Sequence, residues 1–567
     1  MRLQKKESRQ NSPGEKLRLL SGSIVDVMLC LFLILMLTVF PLYNQEGYSH
    51  IGTDKAVFFC RLGTWAGRAL AIPLVLYLLS GCSRLAGDII RKGRSNRTGT
   101  AVSGKSGFPS SGMKKIFEGK ASLPDLCALI YAGALLFSWI VTDYRTEALW
   151  GAKGWYMGLM PQTILLGIYF TVSRFWKPRK WLFCLSLPVS GAVFLMGCLN
   201  RFGIYAFGLE SAGESYISTI GNLNWYCGYA VSVMFAGTIL PWLGEGIKLW
   251  QKTLLMIYTA IGYLSLILQG SDSGLAALAA VMLVMFCMSA KDSGRMLVFW
   301  QEMTILSSEC LGIFLVKNLA PGRINFMGML AGILTGRAVS SVMTTVSILM
   351  MLLVWASRRR GKYREKLFCV LARAAAVGSA CIVTGAVLLV VINTRHPGSL
   401  GRLSDNPLFT FNDAWGSHRG VTWLAGWKCF AAQDTLHKLA GVGPDCMWPY
   451  INSGSNQEIY LYVTTAFPGL RLTNAHNEWL TVLVNTGIIG LAGYGGMMIC
   501  GIGELLKKGK ESPYAAACGF CLLAYTVNNI FSFQQAMGVG TVFVIFGMGK
   551  AFLRKGQKPV SKSPSLM

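Results

Sequence analysis

The sequence predicts an all-α polytopic membrane protein of about 14 transmembrane helices (12–14), with one large extracytoplasmic loop containing short helices. Three observations carry that prediction. Of the 567 residues 53% are hydrophobic and 14% charged, and the mean hydropathy is +0.46, too few polar groups to coat a soluble globule of this length. Apolar runs of about 20 residues, enough to cross a hydrocarbon core, recur along the whole chain. The connections between them alternate between rich and poor in Lys and Arg.

The apolar windows fall at 23–43, 64–82, 122–142, 155–173, 181–199, 223–244, 250–268, 273–290, 297–316, 339–357, 369–393, 478–504, 513–531 and 537–553. The second contains Arg68, and the ninth contains Glu302 and Glu309, so these two are the most polar of the set. The first follows a basic leader and lacks a small-residue cleavage site, which reads as a retained span. Alternate connections hold 36 Lys and Arg in one set and 14 in the other, with Arg68, Arg373 and Lys550 inside spans, completing the 53 of the chain. Because cytoplasmic loops concentrate positive charge, both termini are expected in the cytoplasm, and the formal charge of +27 reflects topology, with no nucleic acid as partner.

The predicted organisation is a basic cytoplasmic N-terminus at 1–22, N-terminal spans at 23–199 with a basic loop at 83–121, and central spans at 200–393. A catalytic loop at 394–477, C-terminal spans at 478–553 and a basic tail at 554–567 complete it. The Ser-, Gly- and Lys-rich run from Ser95 to Lys115 has no apolar period and is expected to be a disordered linker facing lipid headgroups. The sixteen cysteines stand singly in mostly apolar runs, as small hydrophobes do, without metal-ligand spacing. Cys429 and Cys446 share the large loop and could pair there if it is extracytoplasmic.

A loop of about 85 residues is long enough that short helices and function are expected in it. It holds His396, His418 and His437, and it ends at His476, where polar sequence runs directly into the span at 478–504. That histidine either caps a membrane helix or works at a water–lipid boundary. The chain there reads His476-Asn477, then Gly487 and Gly490; upstream lie Arg419-Gly-Val-Thr-Trp423 and Gly441-Val-Gly443-Pro444. Gly221-Asn222-Leu223-Asn224 and Ser271-Asp272-Ser273-Gly274 stand at two span entrances.

In spacing and residue type these segments resemble the signature of the O-antigen ligase and polymerase superfamily, which includes bacterial protein O-oligosaccharyltransferases. The resemblance covers roughly residues 200–500. Leu223 replaces a usual proline, and Asp272 and Ser273 stand where the family often carries an arginine. The resemblance implies a metal-independent glycosyltransferase of the bacterial cytoplasmic membrane with its active site facing outward. It would need no cofactor, and would move a glycan from an undecaprenyl-diphosphate carrier to an acceptor hydroxyl on a glycan, lipid or protein, in surface-polysaccharide biosynthesis. Polymerase and ligase share that donor, so the resemblance covers both.

Such chemistry needs a cation for the departing diphosphate, a base for the acceptor proton, and room for the lipid. Arginine binds phosphate oxygens through a planar fork and stays charged, which makes Arg419 the expected clamp; Arg201 and Arg337, with Arg323, are further candidates or else snorkel to headgroups. Histidine, with an unperturbed pKa of about 6.5, is mostly neutral at pH 7, which suits His476 as the base. Gly487, eleven residues on along a continuous helix, would lie about 16 Å deeper, placing His476 at headgroup depth. The glycines, with Ala492, offer a small surface to a neighbouring helix or to the polyprenyl chain.

Asn477 is expected to orient the imidazole or the acceptor. Glu478 either fixes the histidine tautomer or is a solvated first-turn carboxylate. Asn222 and Asn224 hydrogen-bond sugar or cap a helix. Asp272 either plays a structural part, pairs with an arginine, or assists acceptor deprotonation. Trp423, with Trp415, Trp427, Trp448 and Tyr450, either stacks on sugar faces or forms an interfacial belt. From other classes, a lipid-linked glycan flippase or polysaccharide transporter is the alternative, for which internal repeats and cations deep in several spans are expected. A non-catalytic scaffold of an envelope-synthesis complex is the third reading.

Overall fold

The computed structural model describes residues 13–97, 121–205, 209, 216–244, 246–324, 328–509 and 511–556. Most of the basic N-terminus, most of the Ser95–Lys115 linker and most of the C-terminal tail therefore lie outside the described residues. The described chain is helical, apart from one two-stranded hairpin in which β1 (Tyr216–Ile217) pairs antiparallel with β2 (Gly221–Asn222), Tyr216 opposite Asn222.

In chain order the helices are α1 Pro13–Leu42, α2 Ile51–Arg97, α3 Leu123–Val141, α4 Arg145–Trp150, α5 Leu159–Phe175, α6 Lys180–Arg201, α7 Leu223–Leu243, α8 Leu249–Leu268, α9 Asp272–Ser289 and α10 Ser293–Leu319. They continue as α11 Met329–Leu334, α12 Arg337–Arg359, α13 Glu365–Arg395, α14 Trp415–Ala432, α15 Thr435–Ala440, α16 Met447–Ile451, α17 Gln457–Ala466, α18 Glu478–Lys507, α19 Pro513–Asn528 and α20 Ala536–Gly556. Eleven of the described helices are long and apolar enough to cross a membrane. Of the other three apolar windows, α5 has 17 residues and α19 has 16, and α10 carries two glutamates. Length and apolarity thus support eleven spans, not fourteen.

Two expected boundaries move. The second apolar window was expected from residue 64, but α2 begins at Ile51, a turn and more earlier. Its Lys55 is fully buried and donates to the carbonyls of Phe40 (2.8 Å) and Pro41 (3.1 Å) in the last turn of α1, which also accept from Tyr43 N–H and Thr219 Oγ1. A cation at a helix C-terminus is favourable, so a residue that reads as loop charge serves inside the bundle. The window at 513–531 ends as helix at Asn528, and the residues after it leave the helix for the interior.

The helices differ in how deeply they sit. α20 and α7 are buried almost entirely by their neighbours, whereas α13 and α12 are mostly exposed, α13 burying Phe368, Ala372 and Asn393. α18 packs on α3 through its small residues: a Cβ on Gly493 would lie 2.6 Å from the Tyr131 amide nitrogen, and one on Gly496 2.7 Å from Cys127 Sγ. This is the close helix contact that small residues permit. The 396–477 connection packs its own small core around Cys429, Cys446, Met447 and Val463. Both of its cysteines are free, Cys446 Sγ lying 3.5 Å from the Pro444 carbonyl oxygen.

Candidate active site

The helix α14 does not begin as a helix. Gly416, Ser417 and His418 all have positive φ (59°, 59° and 65°), a left-handed turn that precedes the regular part of the element. Arg419 leaves this turn with Nη1 donating to the Gly416 carbonyl (2.9 Å) and Nε donating to the Phe531 carbonyl (2.9 Å). One turn on, Trp423 lies over Phe531, ring centroids 6.0 Å apart and nearly parallel. Burial pulls the Arg419 pKa below its usual value while Asp272 opposes that shift, and an arginine stays charged under either influence.

His476 sits in a tight turn with φ 48°, a region histidine enters more readily than most residues. Its backbone N–H donates to Asn474 Oδ1 (3.0 Å), and its ring meets Phe533 edge-on at 4.9 Å. Burial first, and then the Arg419 charge, hold the imidazole pKa down at about 4. Asn477 is the N-cap of α18, Oδ1 accepting from the Leu480 N–H at 3.0 Å. Glu478 is 2% exposed, with its carboxylate accepting from Tyr494, Asn529 and Tyr525 (2.9 Å for the last), so it is not a solvated first-turn acid.

The element that unites these groups was not singled out from the sequence. Asn528–Gln535, the link from α19 to α20, runs largely buried through the bundle, with Ile530 exposed and Phe531 half-buried. Phe531 receives Arg419, Phe533 receives the His476 ring, and the Asn529 carbonyl accepts the Glu478 N–H at 3.0 Å. Asn528 Oδ1 accepts from Ser273 Oγ at 2.8 Å; Ser273 Oγ lies 2.8 Å from Ser271 Oγ, which donates to Asn224 Oδ1 at 3.5 Å. A polar chain therefore joins the two span-entrance motifs to the helix that carries His476. The signal available in the sequence was composition: NNIFSFQQ packs four amides into eight uncharged residues between two apolar runs.

Several expected site residues are placed elsewhere. Arg201 is buried, with Nε donating to the Leu268 carbonyl (3.0 Å) and Nη2 to that of Gln269 (2.7 Å) at the end of α8. Arg337 and Arg323 are exposed. Asp272 accepts from the N–H groups of Met329 (3.1 Å) and Leu330 (2.9 Å), at the start of α11. Asn222 caps α7 by accepting from Asn224 N at 2.9 Å. Of the loop histidines, His396 ends α13, His418 lies near Phe467 and His437 pairs with Asp434 at 3.0 Å.

The helix under His476 is broken, which corrects the depth expected from a continuous rise. Gly487 has φ 67° inside α18, and a Cβ there would run into the carbonyl of Leu439. Gly441, φ 81°, makes the reciprocal contact with the Asn485 carbonyl. Carbonyls freed by the break are satisfied by the loop: Val442 N–H donates to Val484 O and Gly443 N–H to Asn485 O, each at 3.1 Å, and Ser138 Oγ also donates to Asn485 O, at 2.8 Å. The two glycine motifs of the sequence are thus one joint, in which the loop backbone plugs the helix.

Beside this joint lies a small cavity of about 40 Å³ lined by Asn474, Glu478, Asn485, Phe533, Gln534 and Asp445, among others. Asn485 Oδ1 faces no partner among the described residues. Asp445 is fully enclosed, with Oδ2 accepting from Ala152 N (2.7 Å) and Met157 N (3.1 Å), and burial pushes its carboxyl up to about 7. No group of metal-ligating residues is found among the described residues.

Residues 324–495 match the O-antigen ligase family model. The matched stretch contains Arg419, Trp423, Gly441, His476 and Gly487, the residues that build the turn, the joint and the imidazole described above. No curated protein matches the chain. That match supports an O-antigen ligase/polymerase-type domain within residues 324–495.

Proposed function

We propose that the protein transfers a glycan from an undecaprenyl-diphosphate carrier to an acceptor hydroxyl at the outer face of the bacterial cytoplasmic membrane, as a surface-polysaccharide polymerase or ligase. His476 is the base and Arg419 the diphosphate clamp. The observation that carries this reading is the convergence of Arg419 and His476, far apart in sequence, on the one largely buried segment Asn528–Gln535, through Phe531 and Phe533.

In this mechanism the acceptor oxygen attacks the anomeric carbon from the face opposite the diphosphate. The anomeric carbon–oxygen bond breaks with inversion, the acceptor proton passes to His476, and the diphosphate leaves with its charge opposed by Arg419. Carbonyls now occupy two guanidinium positions, and the remaining N–H groups are free to meet phosphate oxygens bidentately. A pKa of about 4 keeps the imidazole neutral at pH 7. The arriving diphosphate offsets the Arg419 field and strengthens the base when the donor is in place.

Transfer from a labelled lipid donor by purified, folded variants tests the assignment. His476→Ala is expected to lose about 10²–10⁴-fold in rate, and Arg419→Ala about 10²–10³-fold, as for removal of a preorganised donor group. Wild-type transfer by both variants would refute it. Movement of intact donor across the bilayer without bond formation would favour a flippase.

A further inference from the structure

A second recess lies at the opposite end of the same helices. It is a cleft of about 1110 Å³ between α6, α8 and the α18–α19 link. Its walls are apolar: Leu187, Ala192 and Leu195 of α6 face Leu254, Ile257 and Ile261 of α8. Gly191 keeps it deep, since a Cβ there would already touch the Tyr258 ring at 3.4 Å.

Its charges gather at one mouth, formed by Lys180, Arg295 and Lys555, with Glu511 as the acid among the lining residues. The partners of these cations are weak. Lys180 lies over the Tyr514 ring at 5.5 Å, and Lys555 Nζ donates to the Pro178 carbonyl at 3.4 Å. Arg295 lies 5.8 Å from the Trp242 ring and 3.7 Å from Asp292 Oδ2. Trp250, largely exposed, stands at the same mouth, where an interfacial aromatic belongs.

Helix continuity fixes where this mouth is. Lys180 begins α6 and Arg201 ends it; Trp250 stands at the start of α8 and Leu268 at its end; Lys555 lies at the end of α20, and Phe533, which meets the His476 ring, lies just before its start. The twenty residues of α8 span about 30 Å, the thickness of a bilayer core. The mouth is therefore one bilayer away from His476, and from Lys180 to Leu195 the cleft runs about 22 Å along α6, more than one leaflet's depth.

We propose that this cleft binds an anionic phospholipid of the leaflet opposite the His476 site, with its phosphate on Lys180, Arg295 and Lys555 and its acyl chains against α6 and α8. A basic pocket between membrane helices is the form such recognition takes. The proposal rests on the helices spanning a membrane and is independent of the transferase reading.

Native mass spectrometry of the detergent-purified full chain tests it, with the lipid identified by mass. The wild type is expected to carry an anionic phospholipid that is absent both from Lys180→Gln/Arg295→Gln/Lys555→Gln and from the cleft-filling Ala192→Phe. Wild-type protein should also melt higher in nanodiscs of phosphatidylcholine with phosphatidylglycerol than in phosphatidylcholine alone; this arm decides the matter if Ala192→Phe does not fold. Equal lipid occupancy in the triple variant, a bound mass equal to a polyprenyl phosphate, or identical melting in both nanodiscs would overturn it.

Discussion

At the Lys180 end of the bundle, buried carboxylates meet cations: Asp26 pairs with Arg179 at 2.6 Å, Asp125 with Arg174, and Glu504 with Lys550 and Lys508. At the His476 end the cation Arg419 donates to backbone carbonyls and the carboxylate Glu478 accepts from neutral tyrosine and asparagine groups. One end joins helices by matched charge. At the other, Arg419 and Glu478 are each held by neutral groups, and a guanidinium held by carbonyls retains its full charge for an anion that is yet to arrive.

The sharpest break of that comparison is a pair of variants. His476→Ala should lose about 10²–10⁴ in transfer rate at nearly unchanged stability. Asp125→Ala, which strands Arg174 with its side chain 14% exposed, should cost about 3–5 kcal/mol in denaturant unfolding, at unchanged transfer rate per folded molecule. If both variants lost rate and stability alike, the two ends would not differ in kind.

Gly487→Ala comes next. Alanine at φ 67° and ψ −171° costs roughly 1–3 kcal/mol, and the new Cβ must also displace the Leu439 carbonyl. The loop should come away from α18, raising amide exchange at Val442 and Gly443 and abolishing transfer, while the protein stays in the membrane.

A smaller effect is expected in pH. With His476 at about 4 in the free protein, kcat/KM should stay level from neutral pH down to about pH 5 and fall through the region of 4, where the imidazole takes a proton. Arg419→Gln removes the neighbouring charge, which is the second cause after burial, so the remaining activity should fall at a higher pH. An unmoved acid limb would separate the two residues electrostatically. The smallest effect belongs to Asp272→Ala, which removes acceptors from the start of α11 at about 1 kcal/mol. Donor affinity should be unchanged, and a large loss of it would return Asp272 to the substrate.

The sequence made the helices legible because each needs a run of apolar residues, and all fourteen windows contain helix. It also displayed the residues of the candidate site, since His476, Arg419 and the glycines have recognisable spacing. What it concealed were facts of three dimensions. Lys55 reads as loop charge until the end of α1 is seen beside it. Gly487 reads as a packing residue until the backbone of residues 439–443 is seen in the break. NNIFSFQQ reads as the end of one apolar window and the short link to the next because burial of amides depends on partners distant in the chain, among them Ser273 and Glu478.

The joint at Gly487 has a consequence for variation. It is made of main-chain N–H and C=O groups meeting across two glycines, with the Gln433 side chain donating beside them to the Val484 carbonyl at 3.1 Å. A loop of different sequence, given glycine at the two contact positions, would seat on the same socket. The substrate-facing part of such a protein could then be exchanged without rebuilding the helices that hold it, much as a tool bit is changed in a fixed chuck.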